Sequence, residues 1–259
     1  MNQSTRRLFL IQSLLRENPR YAGLSVPKDP AGQRQLLRAL MNVRAPKACD
    51  PEFLEMQDAY LADETAKKGV TDIQDLTPVQ DGLYVWQGDI TALRCDAIVN
   101  AANSSLTGCY IPNHSCIDNC IHTFAGVQLR LACAELMEQQ GHEEPTGLAK
   151  ITPAFNLPCK YVLHTVGPII QSRVTEKDRQ LLASCYRSCL ELAATHDLES
   201  VAFCCISTGV FHFPNEQAAA IAVNIVQQFL QTKTSVRKVI FNVFKDVDKE
   251  IYERLLAVH

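Results

Sequence analysis

Ala97-Ile98-Val99-Asn100-Ala101-Ala102-Asn103-Ser104-Ser105 joins a short apolar run to two amides three positions apart, with little bulk between them. So short a run reads as a buried strand, which puts the amides at its carboxyl end. There they can hydrogen-bond a polar ligand such as a ribose, or cap their own turn. Similar β-branched runs lie on both sides, at 83–86, 149–152, 161–165, 201–206 and 239–243. Amphipathic segments at helical spacing alternate with them, at 117–140, 176–196, 215–231 and 247–258. Strands alternating with helices predict an α/β sheet covered on both faces, with ligands beyond the carboxyl ends of the strands.

Residues 1–79 read differently, as a helical extension. Leu8, Ile11, Leu14 and Leu15 recur at helical spacing, and Asp29-Pro30 and Asp50-Pro51 each place a capping carboxylate before a proline suited to a first helical turn. Leu36, Leu37, Leu40 and Met41 follow the first cap; Phe53, Leu54, Met56, Tyr60 and Leu61 follow the second. Each set makes one apolar face, so the extension is expected to cover the main domain, and it carries no cluster of catalytic residue types.

Composition narrows the function. The 259 residues are 47% apolar and 20% charged, with 11 Gly and 12 Pro, which excludes disorder and repeat architectures. A net charge of −3 supplies no basic field for nucleic acid, and no stretch approaches the ~18 apolar residues of a membrane span. Eleven scattered cysteines, an odd number that includes the adjacent Cys204-Cys205, argue against a disulfide framework and for a reducing cytoplasm. Ser4-Thr5-Arg6-Arg7 resembles a twin-arginine export signal, but Gln12 and Ser13 interrupt the apolar stretch and Arg16-Glu17-Asn18 ends it, so no export is expected.

Candidate chemistry lies after the strands. Asp89, in Gly88-Asp89-Ile90-Thr91, stands where a carboxylate can accept from an amine or simply build a turn. Cys109, His114 and Cys116 place two thiols and an imidazole within eight residues around Pro112, a donor set suited to zinc with a fourth position open. Cys120 or His122 can close that shell instead, and reduced loop cysteines are the plain alternative. Asp118 follows at a helix start, where the dipole favours its ionised form; it can orient water, take a proton or serve only as a cap. Ser207-Thr208-Gly209-Val210-Phe211 links a strand to a helix and can present backbone N–H groups to an anion. Phe244, past the last strand, can stack on a base or belong to the core.

The order of these motifs is diagnostic. Gly88-Asp89-Ile90-Thr91, Asp96-Ala97-Ile98-Val99-Asn100-Ala101-Ala102-Asn103-Ser104, Thr146-Gly147-Leu148-Ala149-Lys150-Ile151-Thr152-Pro153, Tyr161-Val162-Leu163-His164-Thr165-Val166-Gly167-Pro168 and Ser207-Thr208-Gly209-Val210-Phe211 together resemble the macrodomain family. The resemblance covers residues 80–259 and implies a three-layer α/β/α sandwich with a mixed central sheet that binds ADP-ribose. By that resemblance Asp89 contacts the adenine amine and Ile90 lines its pocket. Ser207, Thr208, Gly209, Val210 and Phe211 cradle the diphosphate, Phe244 stacks on adenine, and Asn103 and Asp118 meet the distal ribose.

One departure refines the expectation. After Asn103 the common hydrolase branch has a short glycine-rich loop; this chain has the longer Cys109…His114…Cys116 segment and, later, His212 where many macrodomains have glycine. These features and the helical extension resemble the zinc-containing microbial macrodomains, some encoded beside a sirtuin-type ADP-ribosyltransferase. The resemblance implies a zinc-dependent hydrolase that removes mono-ADP-ribose from modified Asp or Glu side chains, with Asn103 and Asp118 catalytic, Zn²⁺ as cofactor and ADP-ribose as product. The alternatives are a reader module that binds without turnover, and a hydrolase of O-acetyl-ADP-ribose or ADP-ribose 1″-phosphate.

Overall fold

The computed structural model describes residues 1–257. Three helices open the chain: α1 (Gln3–Glu17), α2 (Pro30–Val43) and α3 (Pro51–Lys68). The two expected caps form, Asp29 accepting from Gly32 N–H at 2.7 Å and Asp50 from Glu52 N–H at 2.9 Å. The apolar faces close on one another around Leu10, Leu14, Leu37, Leu40, Phe53 and Tyr60, and Val127 of the main domain completes this second core.

The α/β part follows as β1 (Thr71–Asp72), β2 (Leu83–Gln87), β3 (Leu93–Arg94), β4 (Ala97–Ala101), α4 (Ile117–Ala125), α5 (Val127–Gln140), β5 (Ala149–Pro153), β6 (Tyr161–Thr165), α6 (Glu176–Thr195), β7 (Ser200–Phe203), α7 (Asn215–Leu230), β8 (Lys238–Val243) and α8 (Asp246–Ala257). The main sheet runs β2-β8-β7-β4-β6-β5 and is parallel except for β5, which makes it mixed. Helices α6, α7 and α8 pack side by side against one layer, while α4 and α5 lie between the sheet and the N-terminal helices. The chain joins this body by Thr71, where β1 pairs with β3, and Ile73 already sits in the main core.

Two expected elements differ. The helix expected over 117–140 is two helices, because Gly126 between them sits at φ +95°, outside the helical region. The strand expected over 201–206 ends at Phe203; Cys204 and Ile206 are apolar because the loop itself is buried. The last helix is described to Ala257, and Val258 lies outside the described residues.

His164 on β6 makes the fold acid-sensitive. It is fully buried, with Thr152 Oγ1 2.9 Å from Nε2 and Asn100 Nδ2 3.2 Å from Nδ1, and burial drags its pKa down to about 3. The native ring stays neutral while the unfolded chain takes up a proton below about pH 6.5, so its contribution is intact above that pH and is lost as pH falls. Between pH 7 and 5 the wild type should lose about 2 kcal/mol more than His164→Gln. Urea midpoints at the two pH values check this, and parallel losses in the two proteins would contradict it.

Candidate functional site

Strands β2, β8, β7 and β4 are neighbours and parallel, so their carboxyl ends open on one edge. Asp89 follows β2, Phe244 follows β8, the Ser207–Phe211 segment follows β7 and Asn103 follows β4. At about 4.8 Å between neighbours these four ends span roughly 14 Å. Residues scattered over 156 positions of sequence thus form one ordered row.

At the first end, Asp89 caps a short 3₁₀ turn, Ile90–Ala92: Oδ1 accepts from Thr91 N–H at 2.9 Å and Thr91 Oγ1 at 2.6 Å, and Oδ2 from Lys68 Nζ at 2.8 Å. Those hydrogen bonds outweigh partial burial and hold its carboxyl below the usual range. The Ile90 side chain lies in the main core at 2% exposure. Phe244 is 78% exposed, an aromatic face held out at the strand end rather than in the core.

The segment after β7 is built to leave donors free. Phe213 N–H returns to Ser207 O, His212 N–H to Gly209 O and Thr208 N–H to Cys205 O. Among the described residues nothing accepts from the backbone N–H of Gly209, Val210 or Phe211. Gly209 and Val210 are exposed, and a Cβ at Gly209 would meet no protein atom within 4 Å. Ser207 and His212 take left-handed φ values of +64° and +59°, which explains why a glycine would serve at position 212. Ser207 Oγ is buried without a hydrogen-bond partner among the described residues.

At the far end Asn103 holds its own loop, accepting from Ser105 N–H and Oγ and donating to Gly108 O at 3.1 Å. Asp118, in the first turn of α4, is 5% exposed and accepts from Asn100 Nδ2 at 2.8 Å. Burial pushes its pKa up to about 6, against the Asn100 hydrogen bond, the Arg130 charge and the Cys109 backbone N–H. The expectation that the helix dipole would favour the ionised form is therefore corrected: desolvation outweighs it. Nor is Asp118 the cap, a place taken by Cys116, whose Sγ accepts from Asn119 N–H. His122 Nε2 lies 3.6 Å from Asp118 Oδ1, and burial holds that imidazole neutral.

Cys109, His114 and Cys116 come together half-buried, their ligand atoms all within 4.8 Å of one another. Cys109 Sγ lies 3.5 Å from His114 Nδ1, against about 3.6 Å for sulfur and nitrogen on one tetrahedral zinc, so the donor set fits that ion. Neither Cys120 nor His122 joins the group; His122 belongs with Cys133 and His164 to a second, buried trio.

The loop bearing these ligands is held by cations that sequence reasoning did not single out. Arg130, buried on α5, donates to the carbonyls of Thr107 and Cys109 on the loop and of Met41, Asn42 and Arg44 at the end of α2. Arg38 of α2 reaches the His114 carbonyl, and Lys68 of α3 reaches Asp89. Asn100 was visible as one of the two amides, but its contact with Asp118 was not. A lone cation far away in sequence looks like any surface cation, so nothing local marks these residues.

Comparison with known proteins gives a consistent result. The Macro domain family model matches residues 99–222. A relative from Treponema medium named Protein-ADP-ribose hydrolase is 58% identical over 99% of this chain and 100% of its own length. Among solved structures, a variant of the Oceanobacillus iheyensis macrodomain with ADPR superposes at TM-score 0.63 and 40% identity, over 70% of this chain and 96% of that one. The Trypanosoma brucei macrodomain in complex with ADP-ribose gives 0.66 and 29%, over 88% and 96%. Motif order, strand order and full-length similarity agree: the chain belongs to the Macro domain family.

Proposed function

We propose that this chain is a hydrolase that removes ADP-ribose from mono-ADP-ribosylated proteins, using Zn²⁺ held by Cys109, His114 and Cys116 and acting on Asp and Glu esters. The carrying observation is the row of strand ends, which runs from an amine acceptor and an open aromatic face, past free N–H groups, to a buried carboxylate beside the Cys/His cluster. Relatives named for this hydrolysis support the reaction class.

In this reading Asp89 Oδ2 accepts from the adenine amine and Phe244 stacks on the ring, with Ile90 behind it. The turn Ser207, Thr208, Gly209, Val210, Phe211 offers its N–H groups to the diphosphate. Asn103 hydrogen-bonds the distal ribose. Asp118, a buried carboxylate whose pKa is raised to about 6, takes the proton of the attacking water, and the products are ADP-ribose and a free carboxylate. Zn²⁺, when bound, supplies Lewis-acid polarisation of oxygens at the distal ribose. No helix among the described residues is long and apolar enough to cross a membrane, and eleven free cysteines suit the cytoplasm, where a sirtuin-type ADP-ribosyltransferase supplies the modified protein.

Elemental analysis with Cys116→Ser tests the metal assignment. The wild type should carry one zinc per chain, and the variant should lose zinc and turnover together while ADP-ribose affinity holds. Full zinc and full rate in the variant would remove Cys116 from the site. A substrate modified on carboxylates should be cleaved and one modified on serine should persist; equal rates would overturn the ester preference.

A further inference from the structure

The N-terminal helices touch the strand-end row at both of its ends, through polar contacts that their own packing does not require. At the adenine end Lys68, the last residue of α3, places Nζ 2.8 Å from Asp89 Oδ2, 3.1 Å from Thr91 Oγ1 and 3.0 Å from the centroid of the Phe124 ring. Phe124 belongs to α4, the helix that carries Asp118. These three partners take up the three N–H donors of the ammonium, so Lys68 offers none to a ligand. With Oδ1 of Asp89 already held twice by Thr91, the carboxylate is fixed in one orientation, and Oδ2 keeps a lone pair free.

At the other end Arg38 of α2 donates through Nη2 to His114 O at 2.8 Å and to Asn119 Oδ1 at 3.0 Å. Asn42 Oδ1 accepts from the backbone N–H of Asn113 at 2.9 Å. Asn113 precedes His114 and sits at φ +56°, a left-handed conformation that persists only where its surroundings hold it. Both contacts reach across from the extension to the segment between Cys109 and Cys116.

These contacts lie outside the apolar packing that holds the three helices together. The Lys68–Asp89 pair, with side chains 27% and 44% exposed, is the kind of ion pair that adds little to stability. We propose that the N-terminal helices complete the ligand site: Lys68 is a positioning residue for Asp89 and hence for adenine, and Arg38 is a positioning residue for His114 and hence for the metal. The inference rests on the function proposed above, because it takes adenine and zinc as the ligands.

The test uses the full chain and two separate readouts, ADP-ribose affinity by calorimetry and zinc affinity by chelator competition, with melting temperature as control. Removing one charge-assisted contact is expected to cost about tenfold in the affinity that it serves. Lys68→Ala should weaken ADP-ribose and leave zinc unchanged, Lys68→Arg should recover most of the loss, and Arg38→Ala should weaken zinc and leave ADP-ribose unchanged. Arg38→Gln, closer in size, replaces Arg38→Ala should that variant not fold. Folded variants that bind both ligands like the wild type would overturn the inference. So would variants that lose both affinities in step with melting temperature. A wild type that binds neither ligand would overturn the proposed function, and this inference with it; a wild type that binds both alongside unaffected variants would overturn this inference alone.

Discussion

Asp118→Asn should lower turnover about 10²–10⁴-fold, the usual contribution of a positioned general base, while ADP-ribose affinity and zinc content persist. The substitution keeps the shape of the side chain and an oxygen able to accept from Asn100 Nδ2, which now lies 2.8 Å from the carboxylate. What it removes is the proton acceptor. The carboxylate is 5% exposed and its pKa is raised to about 6, so at neutral pH the native state carries a buried charge that the fold disfavours. Because the Asn100 hydrogen bond and the packing are kept, the variant should have a denaturant midpoint close to that of the wild type even as it loses activity. Single-turnover release of ADP-ribose, calorimetric binding, elemental analysis and a denaturant titration read the four quantities. Unchanged turnover would refute the assignment of Asp118.

Arg130→Met should cost about 3–5 kcal/mol, because several buried carbonyls lose their donor at once. Arg130 is 5% exposed; Nε donates to Thr107 O at 2.7 Å, and Nη1 to Asn42 O at 2.6 Å and Arg44 O at 2.7 Å. Its guanidinium also lies 4.1 Å from the Tyr110 ring. Methionine fills the space but leaves these carbonyls without a donor, at about 1–3 kcal/mol for each that water does not reach. At roughly 2–4 °C per kcal/mol for a chain of this size, the melting temperature should fall by about 10 °C. Lysine should not rescue it, because a single ammonium cannot reproduce the planar fork that reaches α2 and the metal loop at once. A loss under about 1 kcal/mol would mean that water satisfies the carbonyls and that the network is not what joins the extension to the loop.

The physical reasons for what was legible differ from element to element. Strand–helix alternation is a local pattern, so the six main-sheet strands lie close to their expected positions, and the Asp29 and Asp50 caps, each followed by a proline, mark true helix starts. The helix break at Gly126 was hidden because the apolar spacing continues across it, while the side chain that accepts from the Val127 N–H at the start of the second helix is Gln57, 70 positions away. Burial was the harder property. Asp118, read as a helix-start carboxylate that the dipole keeps ionised, is inside; Phe244, read either as a stacking face or as core, is outside. Ile90, expected to line a pocket, is inside as well, in the short turn after Asp89. The cluster of Cys109, His114 and Cys116 was visible because its members are close in sequence. Arg38, Lys68 and Arg130 were not, because their partners lie between 21 and 89 positions away. The chemistry-bearing types show in the sequence, whereas the groups that hold them in place arrive through the tertiary fold.

The most direct test of the central claim is release of ADP-ribose from a protein mono-ADP-ribosylated on carboxylates, followed with and without a zinc chelator on enzyme of measured metal content. The account predicts release by the zinc-loaded protein, its loss on chelation and its return when zinc is restored. Tight ADP-ribose binding with one zinc per chain and no release would contradict it and would make the protein a reader of the modification.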